Sequence, residues 1–207
     1  MLVLNKVLEI FFSRVILMAM EKIKIVSGRS HPALARKITR LLKVPLIPIE
    51  TKAFADGEIY VRIKENVRDG DIFIIQSLSA PINEYLMELL IIIDALRRAS
   101  ATKINVVCPY LGYSRQDRKS ASREPITAKL IANLITKAGA SRILTVDLHA
   151  DQIQGFYDIP VDHVVGYPRF ADYLLRKKHK NMVMVAPDIG GVKRGRKILL
   201  LGFLFGL

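Results

Sequence analysis

From Ile23 onward, short β-rich runs alternate with stretches of helical periodicity, the pattern expected of parallel strands joined by crossover helices. "KIKIV" (22–26) reads as a strand, and "SHPALARKITRLLK" (30–43) as a helix entered through a Ser and an early Pro. "PLIPIETKAF" (45–54), "EIYVRI" (58–63) and "DIFIIQ" (71–76) read as strands, followed by a helix over "PINEYLMELLIIIDALRRA" (81–99) and a strand over "KINVVCPY" (103–110). After a polar loop the alternation resumes with helix "PITAKLIANLITKAG" (125–139), strand "SRILTVDL" (141–148), helix "YPRFADYLLRKK" (167–178) and strand "NMVMVAP" (181–187). The fold class is therefore α/β, a parallel sheet with helices on both faces.

Gly166 and Pro168 interrupt the pattern within "VDHVVGYP" and predict a boundary there. On this reading 21–165 form a first domain and 166–197 the start of a second, similar one. Residues 1–20 are apolar enough to suggest a signal peptide or anchor. Lys6, Glu9 and Arg14 interrupt the run, however, and no small-residue cleavage site follows. An amphipathic helix, or a true start at Met18 or Met20, is the favoured expectation. Residues 198–207 carry only apolar side chains and glycines, too few to span a bilayer. They read as the aberrant end of a truncated or frameshifted chain, with a docking tail as the second reading.

With 51% hydrophobic residues in 207, the chain can fill a core. Its 32 Lys and Arg outnumber 19 Asp and Glu, a balance that suits a nucleic acid, an anionic membrane or a phosphorylated small molecule. The basic residues are spread over helix-like segments, where a solvated face is the ordinary explanation, and no RNA-binding or zinc-finger signature accompanies them. The single cysteine, Cys108, excludes an internal disulfide and offers no metal-ligand spacing. It reads as buried filler in a protein of a reducing compartment, hence a cytoplasmic location.

In open α/β sheets ligands gather where loops leave the carboxyl ends of strands. Four loops stand out. "FADGE" (54–58) reads as a hairpin connection, though Phe54 could stack on a base while Asp56 and Glu58 accept hydrogen bonds from an amino group or ribose hydroxyls. "YLGYSRQDRKSASREP" (110–125) sets Arg115, Arg118, Lys119 and Arg123 between a strand and a helix, as an exposed basic loop or as guanidinium forks for phosphate oxygens. "VDLHADQIQGFYDIPVD" (146–162) gathers Asp147, His149, Asp151, Asp158 and Asp162 after a strand in an otherwise basic chain. Acids in that setting suit a cation, with Mg²⁺ on nucleotide phosphates the obvious candidate. "VAPDIGGVKRGRK" (185–197) offers the Asp188 carboxylate and backbone N–H groups beside Gly190 and Gly191, or simply a Gly-Gly turn. His31, His163 and His179 have weaker contexts and are read as structural. Neither a P-loop nor G-x-G-x-x-G occurs, which leaves a Mg-nucleotide or phosphorylated-sugar site on an α/β sheet.

Taken in order, these loops resemble the ribose-phosphate pyrophosphokinase (PRPP synthase) family. The resemblance is carried by "FADGEIYVRI" (54–63), "YSRQDRKSASREPITAKLIANL" (113–134) and above all "DLHADQIQGFYDIPVD" (147–162), and runs from about Ile23 to about Lys197. Two departures are small: Tyr157 stands where the signature usually has Phe, and Ser120 where some members have Asp. The resemblance implies a phosphoribosyltransferase-like fold and transfer of diphosphate from ATP to ribose 5-phosphate, giving PRPP and AMP for nucleotide biosynthesis. It implies ATP contacts from Phe54, Asp56, Gly57, Glu58, Arg115 and Gln116, and Mg²⁺ held by His149 and Asp188 with Asp147. It further implies a homo-oligomer in which the FADGE-like loop reaches a neighbouring subunit's site, with no nucleic acid or membrane as partner. The family's later segments, a loop with catalytic Lys and Arg and an Asp-Asp…Thr-Ala-Gly-Thr sugar-phosphate cradle, have no match in these 207 residues, so no catalytic residue is assigned. A catalytically inactive or regulatory subunit assembling with a complete relative is the alternative.

Overall fold

The computed structural model describes residues 22–177 and 183–205; the expectations for residues 1–20 and for His179 lie outside them. The elements in chain order are β1 (Ile23–Ser27), α1 (Pro32–Leu42), β2 (Leu46–Ile47), β3 (Ile49–Ala53), β4 (Ile59–Ile63), β5 (Asp71–Ile75), α2 (Ile82–Arg98), β6 (Lys103–Cys108), α3 (Thr127–Ala138), β7 (Arg142–Val146), a 3₁₀ segment (Asp151–Phe156), β8 (Val161–Val164), α4 (Tyr167–Lys177) and α5 (Ile189–Phe205). Six strands form one sheet in the order β2-β1-β5-β6-β7-β8. The pairs β1–β2, β1–β5, β5–β6 and β6–β7 are all parallel.

Successive side chains of a strand point to opposite faces, and here each face has its own apolar cluster. Val26, Ile72, Ile74, Ile104, Val106 and Ile143 meet α2 and α3 through Leu89, Ile92, Leu96, Ile131 and Ile135. Ile25 and Ile75 face the other way, onto Ala35 of α1 with Leu34 and Ile38. The expected α/β architecture, with helices on both faces of a parallel sheet, is what the chain adopts. Its strands read as near-continuous apolar runs because both faces are covered.

Two local expectations change. The run 45–54 is two strands, because Pro48 lacks the N–H needed to continue the ladder. β2 stays on the main sheet, while β3 leaves it to form an antiparallel hairpin with β4. Helix α1 is capped by His31, whose Nδ1 accepts the Leu34 N–H at 3.3 Å. Ser30 turns its hydroxyl instead to the Ser77 N–H, at 2.7 Å.

The chain divides into two compact units, one ending at His163 and the other beginning at Val164. In the second, α4 and α5 pack together, with Ala171 buried and Lys197 Nζ 5.3 Å from the centre of the Tyr167 ring. The strand expected over 181–187 is not formed in its described part, 183–187. Among the described residues of that unit there is no other strand to take up its amides. Also among the described residues, no helix is long and apolar enough to cross a membrane.

Candidate functional site

Strands β6 and β7 run side by side in parallel, with Val106 opposite Ile143 and Cys108 opposite Thr145. The loops leaving their carboxyl ends therefore begin one strand spacing apart, about 4.8 Å. One further hydrogen bond, Val146 N–H to the Pro109 carbonyl at 3.3 Å, carries the pairing past the end of β6.

The loop after β6 is tied down along its length. The Tyr110 carbonyl accepts from Leu78 N–H at 2.8 Å and from the Cys108 thiol at 3.0 Å. Ser114 Oγ donates to the Leu111 carbonyl at 2.7 Å, and the Gln116 carbonyl accepts from Ala128 N–H at 3.1 Å, joining the loop to the start of α3. Thr127 Oγ1 donates to the Gln116 side-chain carbonyl. Glu124 takes the Ser120 and Ala121 amides at 2.7 and 2.9 Å. By contrast Arg115, Arg118, Lys119 and Arg123 are exposed, and none has an ion-pair partner among the described residues. An ordered loop holding uncompensated cations is suited to an anion with several oxygens.

The loop after β7 turns sharply at Asp147, whose φ of 47° lies in the left-handed region that non-glycine residues rarely occupy. The turn sends Leu148 onto the core and leaves Asp147 and His149 exposed. It is anchored from β8: the Leu148 N–H donates to His163 Nε2 at 3.0 Å, and His163 Nδ1 lies 3.6 Å from Asp151 Oδ1. His163, which the sequence reads as structural, anchors this loop across fifteen residues of chain. Farther along, Asp162 is engaged by Arg142 at 2.8 Å, so it serves the β7–β8 edge rather than the loop. The two loops are joined directly, Gln152 Nε2 donating to Asp117 Oδ2 at 3.1 Å.

Phe54, Asp56, Gly57 and Glu58 close the β3–β4 hairpin, as the Asp-Gly pattern suggested. Phe54 N–H donates to the Glu58 carbonyl at 2.8 Å, Glu58 N–H to Asp56 Oδ1 at 3.1 Å, and Gly57 supplies the φ of 92° that the turn requires. Phe54 is half-exposed, edge-on to Tyr60 at 6.1 Å between centres, with Lys52 Nζ 5.9 Å from its own ring centre. Among the described residues, no hydrogen bond or ion pair links this tip to the loops after β6 and β7. Asp188 belongs to the second unit. There it caps α5, its Oδ1 accepting the Gly191 N–H at 2.7 Å, so the two glycines open a helix rather than form a free turn.

A further polar group at the carboxyl ends of β1 and β5 escaped the sequence reading. Glu88 of α2 is fully buried and accepts from the Arg29 main chain and from Arg29 Nε, each at 2.8 Å. Gln76 receives the Ser30 N–H at 3.2 Å and donates to the Tyr85 carbonyl at 3.1 Å. Gly28 permits this close approach, since a Cβ there would lie 2.1 Å from Gln76 Oε1. The only sequence signal was a carboxylate amid the apolar positions of "YLMELLIII". Beneath the loops, burial pushes the Cys108 thiol up to about 12 and raises the Tyr157 phenol well above its ordinary range.

Among the described residues no three His, Cys, Asp or Glu side chains form a cage. Mg²⁺ ordinarily keeps several waters and takes one or two carboxylates together with substrate phosphates. Asp147 and His149, exposed where the chain leaves β7, provide one carboxylate and one imidazole, a donor set compatible with an ion that arrives with a phosphorylated ligand.

Residues 23–139 match the family model described as the N-terminal domain of ribose phosphate pyrophosphokinase. A ribose-phosphate pyrophosphokinase of Clostridium perfringens is 57% identical over 180 residues, 86% of this chain and 56% of the relative. One from Bacillus caldolyticus is 54% identical over 177 residues, with the same two coverages. The chain thus spans about half the length of the curated relatives it matches. The crystal structure of phosphoribosylpyrophosphate synthetase from Mycobacterium smegmatis superposes with a TM-score of 0.84 at 45% identity, covering 87% of this chain and 61% of that one.

Proposed function

The chain belongs to the family of ribose phosphate pyrophosphokinase N-terminal domains, and from that premise we propose that it supplies the ATP-binding part of a ribose-phosphate diphosphokinase. In the proposed reaction the anomeric hydroxyl oxygen of ribose 5-phosphate attacks the β-phosphorus of ATP. The bond from that phosphorus to the α,β-bridging oxygen breaks, AMP leaves with the oxygen, the hydroxyl proton is released, and PRPP is the other product. Such a transfer needs positioning and charge neutralisation more than covalent help from the protein.

The observation that carries the reading is the joining of the two loops by Gln152 and Asp117, which sets unpaired arginines and the Asp147–His149 pair on one edge of the sheet. Arg115 and Gln116 are assigned to the nucleotide. Phe54, Asp56, Gly57 and Glu58 are assigned to adenine and ribose, delivered to a neighbouring copy in a homo-oligomer. His149, with Asp147, is assigned to Mg²⁺, which when bound neutralises and orients the phosphate oxygens; Asp188, in the second unit, is a further candidate metal ligand. Arg115 offers its guanidinium fork to a phosphate, and the Asp147 turn keeps its own carboxylate and the His149 imidazole on the open side. The single buried thiol suits a reducing, cytoplasmic setting.

Calorimetry with ADP in the presence and absence of Mg²⁺ tests this. Affinity should require Mg²⁺ and fall roughly ten- to a hundredfold in Arg115→Ala, the loss of a charge-assisted contact. A chain that binds ADP with neither condition mattering, or not at all, refutes it. Turnover is a separate question, answered by assaying PRPP formation by the chain alone and after co-expression with a complete relative.

A further inference from the structure

We propose that His163 is a positioning residue for the nucleotide loop: in its neutral form, protonated on Nδ1, it holds the Leu148 amide and thereby fixes the directions of Asp147 and His149. The inference rests on reading the Asp147–Asp151 loop as part of the Mg-nucleotide site.

The geometry defines the tautomer. A main-chain N–H can only donate, so His163 Nε2, 3.0 Å from Leu148 N, must be the bare, accepting nitrogen. The ring proton is then on Nδ1, the atom that faces Asp151 Oδ1 at 3.6 Å. The imidazole is almost enclosed, its side chain 9% exposed, whereas Asp151 is 77% exposed, so the ring is held by the protein and the carboxylate trims its orientation from the solvent side.

The register of β8 produces this. Alternate side chains of a strand point to opposite sides. Asp162 is taken by Arg142 of β7 at 2.8 Å, which secures the edge strand and leaves its neighbour His163 to reach the loop. The amide it holds lies between the two side chains assigned to the metal and phosphates. Asp147 sits at φ 47°, a left-handed conformation that few non-glycine residues adopt. Losing the acceptor frees a partly buried N–H and removes one of the restraints on this turn; rotation of this one peptide would redirect Asp147 and His149 together. A displacement of about 1 Å in a positioned group is enough to weaken its action by up to roughly a hundredfold.

Two measurements on the full chain test the idea. The first is long-range ¹H–¹⁵N NMR of the imidazoles with hydrogen exchange of the Leu148 amide. A bare Nε2 and a protected amide are expected; a proton on Nε2 or a freely exchanging amide overturns the proposal. The second is calorimetry with MgADP on His163→Phe and His163→Gln, with circular dichroism to report folding. Phe removes the acceptor and should weaken binding roughly ten- to a hundredfold. Gln can place a carbonyl oxygen where Nε2 was and should stay near wild type. Unchanged affinity in His163→Phe, or an equal loss in both variants, overturns the proposal. If His163→Phe does not fold, His163→Gln and the tautomer decide. If the unaltered chain binds no MgADP, the proposed nucleotide site fails, while the tether stands or falls on the NMR result alone.

Discussion

Replacing Arg29 by Met isolates the buried charge at the carboxyl end of β1. Glu88 is fully buried and both its oxygens are engaged by one residue: Oε1 by the Arg29 main-chain N–H and Oε2 by Arg29 Nε, each at 2.8 Å. Met preserves the aliphatic stem and the main-chain bond but removes the only charge paired with that carboxylate among the described residues. Breaking one side of a buried pair commonly costs about 3–5 kcal/mol. The Arg29 side chain is 37% exposed, so water screens part of the attraction and the expected loss is nearer 2–3 kcal/mol. For a chain of this size that is a fall in Tm of roughly 5–10 °C, read by circular dichroism, with urea unfolding at an unchanged slope confirming that stability alone has moved. Arg29→Met combined with Glu88→Leu removes the stranded charge and should recover part of the loss. A single variant within about 0.5 kcal/mol of wild type, or a double variant as unstable as the sum of the two singles, refutes the reasoning.

Tyr157 is almost enclosed and its hydroxyl has no hydrogen-bond partner among the described residues; Tyr157→Phe should therefore stabilise the fold by about 1 kcal/mol, seen as a rise in thermal midpoint, and a fall would mean that the hydroxyl is satisfied. Burial raises the pKa values of both Cys108 and Tyr157, so the fold retains protons that the unfolded chain releases. Their contribution is complete below the ordinary values of 9.0 and 10.0 and is lost as pH rises, through about 12 for Cys108 and higher for Tyr157. Urea midpoints should accordingly decline above pH 9, less steeply above pH 10 in Tyr157→Phe; a flat profile to pH 11 would contradict this.

Much of the main sheet was legible because its physics is local. Strands β1, β5, β6 and β7 are short apolar runs with both faces covered, and α2 and α3 repeat their buried positions at helical spacing. What escaped depends on partners distant in sequence. Glu88 looks like one acid on an apolar helix until Arg29, fifty-nine residues earlier, is folded against it. His163 looks like an ordinary strand histidine until the Leu148 amide arrives. The run 45–54 divides for a different reason, since its two halves share strand-like composition and the missing N–H of Pro48 separates them. Residues 183–187 show the converse: strand-like composition does not make a strand where no neighbouring ladder is present to pair with it. Of the candidate site, the loops after β6 and β7 were found from their position and residue types, whereas the bonds that hold them in place were not.

The β3–β4 hairpin carries one consequence beyond its own shape. Ile49, Val61 and Ile63 at its base pack into the cluster shared with α2, and the Phe54–Glu58 closure stiffens its end. Its aromatic tip is therefore preorganised: the entropy of fixing it has been lost during folding and need not be lost again at an encounter. A molecule meeting Phe54 meets a finished shape, so its affinity will follow fit and solvent release rather than the ordering of a slack loop.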